Sequence, residues 1–124
     1  MPYRLISAHS EADRWIEEIL RAAAIKKSTQ IVIRKTQDKT SLEALVHDCG
    51  SDACATRMRQ IDAMLHEDAL IAVLRERTGL KAEPHRPLPS GKYEEIVMAK
   101  HMRITVIPAK PGKTLPIMLL IRYQ

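Results

Sequence analysis

The sequence predicts an α+β fold: a single domain over residues 1–124, with a predominantly antiparallel sheet packed by helices. Three observations lead there. The chain has 124 residues and is 45% hydrophobic, enough to bury a core without a second domain. Apolar residues between Ala12 and Ala23 recur at helical spacing. The C-terminal third holds three β-rich stretches divided by short polar or Pro/Gly segments, the pattern of a meander.

In chain order, Pro2–Ser7 is short and apolar at Leu5 and Ile6 and reads as a first strand. Ser10 then caps a helix over about 10–26, whose stripe of Ala12, Trp15, Ile16, Ile19, Leu20 and Ala23 opposes Asp13, Arg14, Glu17, Glu18 and Arg21. Glu17 and Arg21 form a favourable i,i+4 pair, and Lys26 and Lys27 suit the negative helix end. Gln30–Lys35 (QIVIRK) is a strand by its β-branched content, followed by a polar turn at Thr36–Lys39. Thr40 and Glu43 have capping-box spacing, which predicts a short helix over 41–49 burying Leu42, Leu45, Val46 and Cys49 and stopped at Gly50. A longer helix is expected over 52–78. Cys54, Met58, Ile61, Leu65 and Ala72 share one of its faces, while Leu70, Val73 and Leu74 point elsewhere. It is therefore buried on two sides or broken near His66–Asp68, and Gly79 ends it. Pro84, Pro87 and Pro89 make 80–91 an extended connection. Strands follow at 92–99 and 102–107, then a turn at 108–113, then 115–123, whose nearly unbroken apolar run predicts a central strand covered on both faces.

Composition narrows the function classes. There is no Phe, one Trp and three Tyr, so the core is aliphatic and aromatic base-stacking platforms are disfavoured. No apolar run approaches a membrane span, no basic-then-apolar leader is visible, and two cysteines are sparse usage; a reducing, cytoplasmic setting is expected, with no membrane partner.

Net charge is +5, and its distribution says more than its total. Residues 1–50 carry eight bases and seven acids, 51–80 four and five, and 81–124 eight and three. After Glu95 there is no acid, while Lys100, Arg103, Lys110, Lys113 and Arg122 remain. A one-sided basic surface captures polyanions.

Most candidate chemistry fails on spacing. Cys49 and Cys54 with His47 nearby lack the second ligand pair of a zinc site, so no metal is expected and the cysteines read as small buried apolar residues. His9, His47, His66, His85 and His101 are scattered, and no nucleophile elbow is present. Pro111-Gly112-Lys113-Thr114 lacks the first glycine of a phosphate loop and precedes a strand, so no nucleotide cofactor is expected. What remains is the basic hairpin. Arg103, Arg122, Tyr123 and His101 are the candidate catalytic set, because Arg holds phosphate bidentately and His and Tyr move protons. Lys92, Lys100, Lys110 and Lys113 are the candidate nucleic-acid or partner-binding set. The same groups could bind without catalysing.

The residues resemble one family. Tyr3-Arg4-Leu5, Glu11-Ala12-Asp13 and Ile16-Glu17-Glu18-Ile19 are similar to the opening strand and helix of small bacterial toxins of the RelE/ParE type. Leu88, Gly91 and Tyr93, then Met102-Arg103-Ile104, then Ile117–Arg122 are similar to that family's C-terminal strands. The resemblance covers roughly half the chain, and QIVIRK and the 41–49 segment would be an insertion. It implies a metal-independent endoribonuclease acting on ribosome-bound mRNA, or a poison of DNA gyrase, held by an antitoxin partner. Two other readings stay open: a non-catalytic DNA- or RNA-binding accessory protein of a phage or plasmid, and a protein–protein inhibitor or assembly subunit that docks its basic hairpin on an acidic protein.

Overall fold

The computed structural model describes residues 2–47, 54–81, 88–108 and 115–124, with side chains from Ala8 onward. Helix α1 spans Pro2–Lys26, and the strands β1 (Gln30–Lys35), β2 (Ser41–His47), β3 (Ala55–Arg57) and β4 (Ile61–Asp62) follow it. Helix α2 spans Ala63–Arg77, and the chain closes with β5 (Gly91–Val97), β6 (Lys100–Pro108) and β7 (Ile117–Tyr123). All seven strands join one sheet in the order β3-β2-β1-β7-β6-β5, with β4 beside β2. Every pairing is antiparallel. The α+β, antiparallel expectation therefore holds, with two helices rather than three among the described residues.

The expected opening strand is helix: α1 begins at Pro2. Proline suits a first helical turn, where its missing N–H is not needed. Ala8 extends the 12, 15, 19 spacing backwards and is buried. The stripe itself is as expected, with Trp15, Ile16, Ile19 and Leu20 fully buried. The helix ends in a Schellman turn. Lys27 adopts φ 55°, its N–H donates to Ala24 O at 3.3 Å, and Ser28 N–H donates to Ala23 O at 2.9 Å.

The expected 41–49 helix is strand β2, as far as His47. Leu42, Ala44 and Val46 alternate toward the helices and are fully buried. Thr40 caps nothing: Asp38 Oδ1 accepts from the hydroxyls of Thr36 and Thr40 and from Thr40 N–H, closing the β1–β2 turn. Pairing with β1 on one side and β3 and β4 on the other overrides the helix propensity of Leu-Glu-Ala-Leu. The expected helix over 52–78 begins only at Ala63, where Asp62 caps it by accepting from Leu65 N–H at 2.8 Å. It does not break at His66–Asp68. Its end is as expected, with Gly79 at φ 89° and Leu80 N–H donating to Arg75 O. Cys49 and Gly50 lie outside the described residues, as do 82–87 of the Pro-rich connection and 109–114 of the turn. Cys54 is disulfide-bonded rather than a buried free thiol, and Cys49 is the only other cysteine in the sequence.

Both helices pack on the same face of the sheet, over Ile31, Ile33, Met102, Ile104, Val106, Leu119 and Ile121. Strand β7 is central, as expected, but covered on one face only. Ile117, Leu119 and Ile121 are buried while Leu120 and Arg122 are exposed, so the run Ile117–Ile121 alternates despite its uniform hydrophobicity.

Two polar clusters anchor the helices. Trp15 Nε1 donates to Arg59 O at 2.8 Å, and the Arg59 guanidinium reaches Glu11 and Glu18, each at 2.8 Å. Arg77, only 15% exposed, binds Asp13 at 2.7 Å and Glu95 at 2.9 Å, tying α1, α2 and β5 together. A charge this deep is tolerated because its partners surround it. Replacing Trp15 with Ala removes the largest buried side chain and one of these anchors; the expected loss, read by urea unfolding, is about 3–5 kcal/mol.

Candidate functional site

Strand alternation divides the candidate residues between the two faces of the sheet. Arg103 and Arg122 are direct cross-strand partners on the face away from the helices. His101 lies two residues from Arg103 on the same side of β6, and Lys92 projects from β5 in the register of Thr105. This open face thus brings together Arg103, Arg122, His101 and Lys92. Like charges placed directly opposite in a sheet repel, by roughly 0.2–1 kcal/mol.

Part of that repulsion is offset by one acid. Glu94 is the β5 partner of Arg103, and its carboxylate accepts from Arg103 Nη2 at 3.2 Å and from Nε at 3.4 Å. The other carboxylate oxygen lies 3.6 Å from His101 Nε2. Hydrogen bonding from Arg103 holds Glu94 below the usual carboxylate range. Although no acid follows Glu95 in the sequence, the hairpin is not acid-free in space. Arg122 and Lys92 have no ion-pair partner among the described residues. A shallow depression of about 210 Å³ lies among Lys92, Tyr93, Glu94 and Arg103.

Tyr123 and Lys100 do not join this group. Tyr123 faces α1, where its hydroxyl lies 2.9 Å from Ala23 O and 2.7 Å from Ser28 O, and burial raises its pKa. Lys100 Nζ donates to Ala24 O at 2.5 Å. Both add hydrogen bonds at the end of α1, to carbonyls that also accept within its Schellman turn. Tyr123 is thus no proton donor to the open face, and Lys100 is no binding group there. Lys110 and Lys113 lie outside the described residues.

Two further cations share the open face and were missed from sequence. Arg34 follows from the alternation of QIVIRK, which sets it on the side opposite Ile31 and Ile33. Arg57 was hidden by the helical reading of its segment. Between them lies Glu43, whose side chain is 9% exposed and accepts from Arg34 Nε at 2.8 Å. Arg57, 71% exposed, stands 4.0 Å from the same carboxylate. The open face therefore carries Arg34, Arg57, Lys92, Arg103 and Arg122 against Glu43 and Glu94: five cations, two acids.

Among the described residues, no three His, Cys, Asp or Glu side chains converge as a metal site would require. No described helix is long and apolar enough to cross a membrane.

Beneath the depression, the Tyr93 hydroxyl is buried with no hydrogen-bond partner among the described residues. Burial pushes its pKa up to about 12, with nearby Arg77 opposing the shift. The raised pKa favours the neutral phenol in the folded state. Its contribution to stability is therefore complete below the unfolded value near 10 and is lost as pH rises toward 12. Unfolding measured between those limits is expected to show this loss, and Tyr93→Phe is expected to reduce its slope.

No protein-family model matches the chain, and no curated protein matches it in sequence.

Proposed function

We propose that this protein binds nucleic acid, RNA or DNA, through the open face of its sheet. One observation carries the reading: Arg103 and Arg122 are held side by side on an open face, beside the unpartnered Lys92. Arg103 already meets Glu94 while Arg122 has no ion-pair partner among the described residues, and a phosphate can accept from both guanidinium groups. Seven of the twelve acids among the described residues lie on the two helices, so a polyanion approaching the sheet meets a positive surface. The open-face positions described above carry no aromatic side chain, so recognition rests on the phosphate backbone and is largely independent of base sequence.

A second reading is favoured by the position of His101, on the same face as the two arginines. In a toxin of the RelE type, Arg103 and Arg122 would hold the scissile phosphate and His101 would exchange a proton with the 2′-hydroxyl, without metal. Residues 2–7 are helical where the likeness to that family expects a strand; the helix motifs at 11–19 and the three C-terminal strands carry it.

The test is a fluorescence-anisotropy titration of a labelled single-stranded RNA across a range of salt. Contacts from Lys92, Arg103 and Arg122 predict a slope of log affinity against log salt of about −2. The double variant Arg103→Ala/Arg122→Ala is expected to flatten this to about −0.7. Absence of binding at low salt, or binding insensitive to salt, contradicts the proposal. Recovering the probe intact afterwards assigns the protein to binding; recovering it cut, with His101→Ala leaving it whole, assigns it to cleavage.

A further inference from the structure

A mixed cleft opens at the far end of the open face. It lies where the β1–β2 turn meets β3, encloses about 830 Å³, and is lined by Arg34, Lys35, Asp38, Glu43 and Arg57 among others. Its acids are already engaged. Asp38 is held by the two threonines of the turn, and Glu43 by Arg34. Lys35 leans toward Glu67 at 2.9 Å. Arg57 is the group left over. Its contact with Glu43 is long, its side chain is 71% exposed, and an exposed pair of that length contributes little.

The sheet register places this cleft relative to the Arg103–Arg122 pair. Arg57 lies opposite Leu45, Leu45 opposite Val32, and Val32 opposite Met118, four residues along β7 from Arg122. Four residues along the strand and three strands across give a separation of about 20 Å. Between the two cationic ends run Leu120, Met118 and Val32, all at least partly exposed, with Leu45 buried between Val32 and Arg57. The face is thus an apolar strip with a positive group at each end.

Resting on the nucleic-acid reading above, we infer that the cleft at Arg57 is a second phosphate-binding site, and that one single strand of nucleic acid runs from it across the apolar strip to Arg103 and Arg122. The charge pattern selects the occupant. A single strand offers phosphates to both ends and turns base faces, which lose water readily, onto aliphatic side chains. A duplex presents phosphates along its whole surface and would leave the strip facing charge. A span of about 20 Å suits a strand of roughly four nucleotides, the low end of the footprint of known single-strand-binding domains. A strand too short to reach both ends gains nothing from the second site, whereas a longer one gains by effective concentration.

Labelled oligothymidylates of three and ten nucleotides, and a duplex of ten base pairs, test this on the full chain. Wild type is expected to bind the decanucleotide on the order of tenfold more tightly than the trinucleotide. Arg57→Glu is expected to abolish that advantage, so that the two lengths bind alike; far-UV circular dichroism checks that the variant keeps the fold. An Arg57→Glu protein that still binds the decanucleotide like wild type overturns the second site, while wild-type binding to both lengths keeps the reading of the Arg103–Arg122 end. A duplex bound as tightly as the single strand overturns the path across the strip. Failure of wild type to bind either length overturns the nucleic-acid reading and this inference with it.

Discussion

Most of this molecule follows from a sheet whose helices cover one of its two faces; on the other, β2 is still buried at Glu43, Leu45 and His47. Helix α1 enters before the first strand and α2 bridges β4 to β5, and both lie over the same surface. An antiparallel sheet accepts this arrangement because alternation lets each strand serve a dry face and a wet one. The aliphatic residues fill the dry side. The wet side is free to carry side chains chosen for something other than packing, and it carries arginine.

The charges divide along the same plane. Glu11, Asp13, Glu17, Glu18, Glu67, Asp68 and Glu76 belong to the two helices, where Arg59 and Arg77 meet several of them and hold the helices to the strands. The cations drawn into that layer act as anchors. Among the described residues, those left on the open sheet face meet Glu43 and Glu94. The end of α1 shows how thoroughly the helical layer absorbs polar groups: Tyr123 and Lys100 reach across from β7 and β6 to its last carbonyls.

Much of this was legible in the residues. The α1 stripe, the β1 strand, the three C-terminal strands and the Gly79 stop follow from periodicity and glycine conformation. Residues 41–62 were misread for a definite reason. Leu42-Glu43-Ala44-Leu45 favours a helix locally, and Cys54, Met58, Ile61 and Leu65 happen to fall at helical spacing, yet strand pairing on both sides of β2 prevails. That error hid Arg57. At the site, alternation correctly joins His101, Arg103 and Arg122. Tyr123 is one residue from Arg122 and therefore must face the other way, a consequence of the period of two that was available from sequence. Glu94 required the register of β5 against β6, which no local pattern contains.

Charge separation by sheet face is the claim on which the functional reading depends. Its most direct test is a titration of isotope-labelled protein with single-stranded oligonucleotide, followed by amide chemical shifts. The account predicts that perturbed residues cluster on β1, β3, β5, β6 and β7 around Arg34, Arg57, Lys92, Arg103 and Arg122, with α1 and α2 unaffected along their solvent sides. Perturbations confined to the helices, with the sheet face silent, would contradict it.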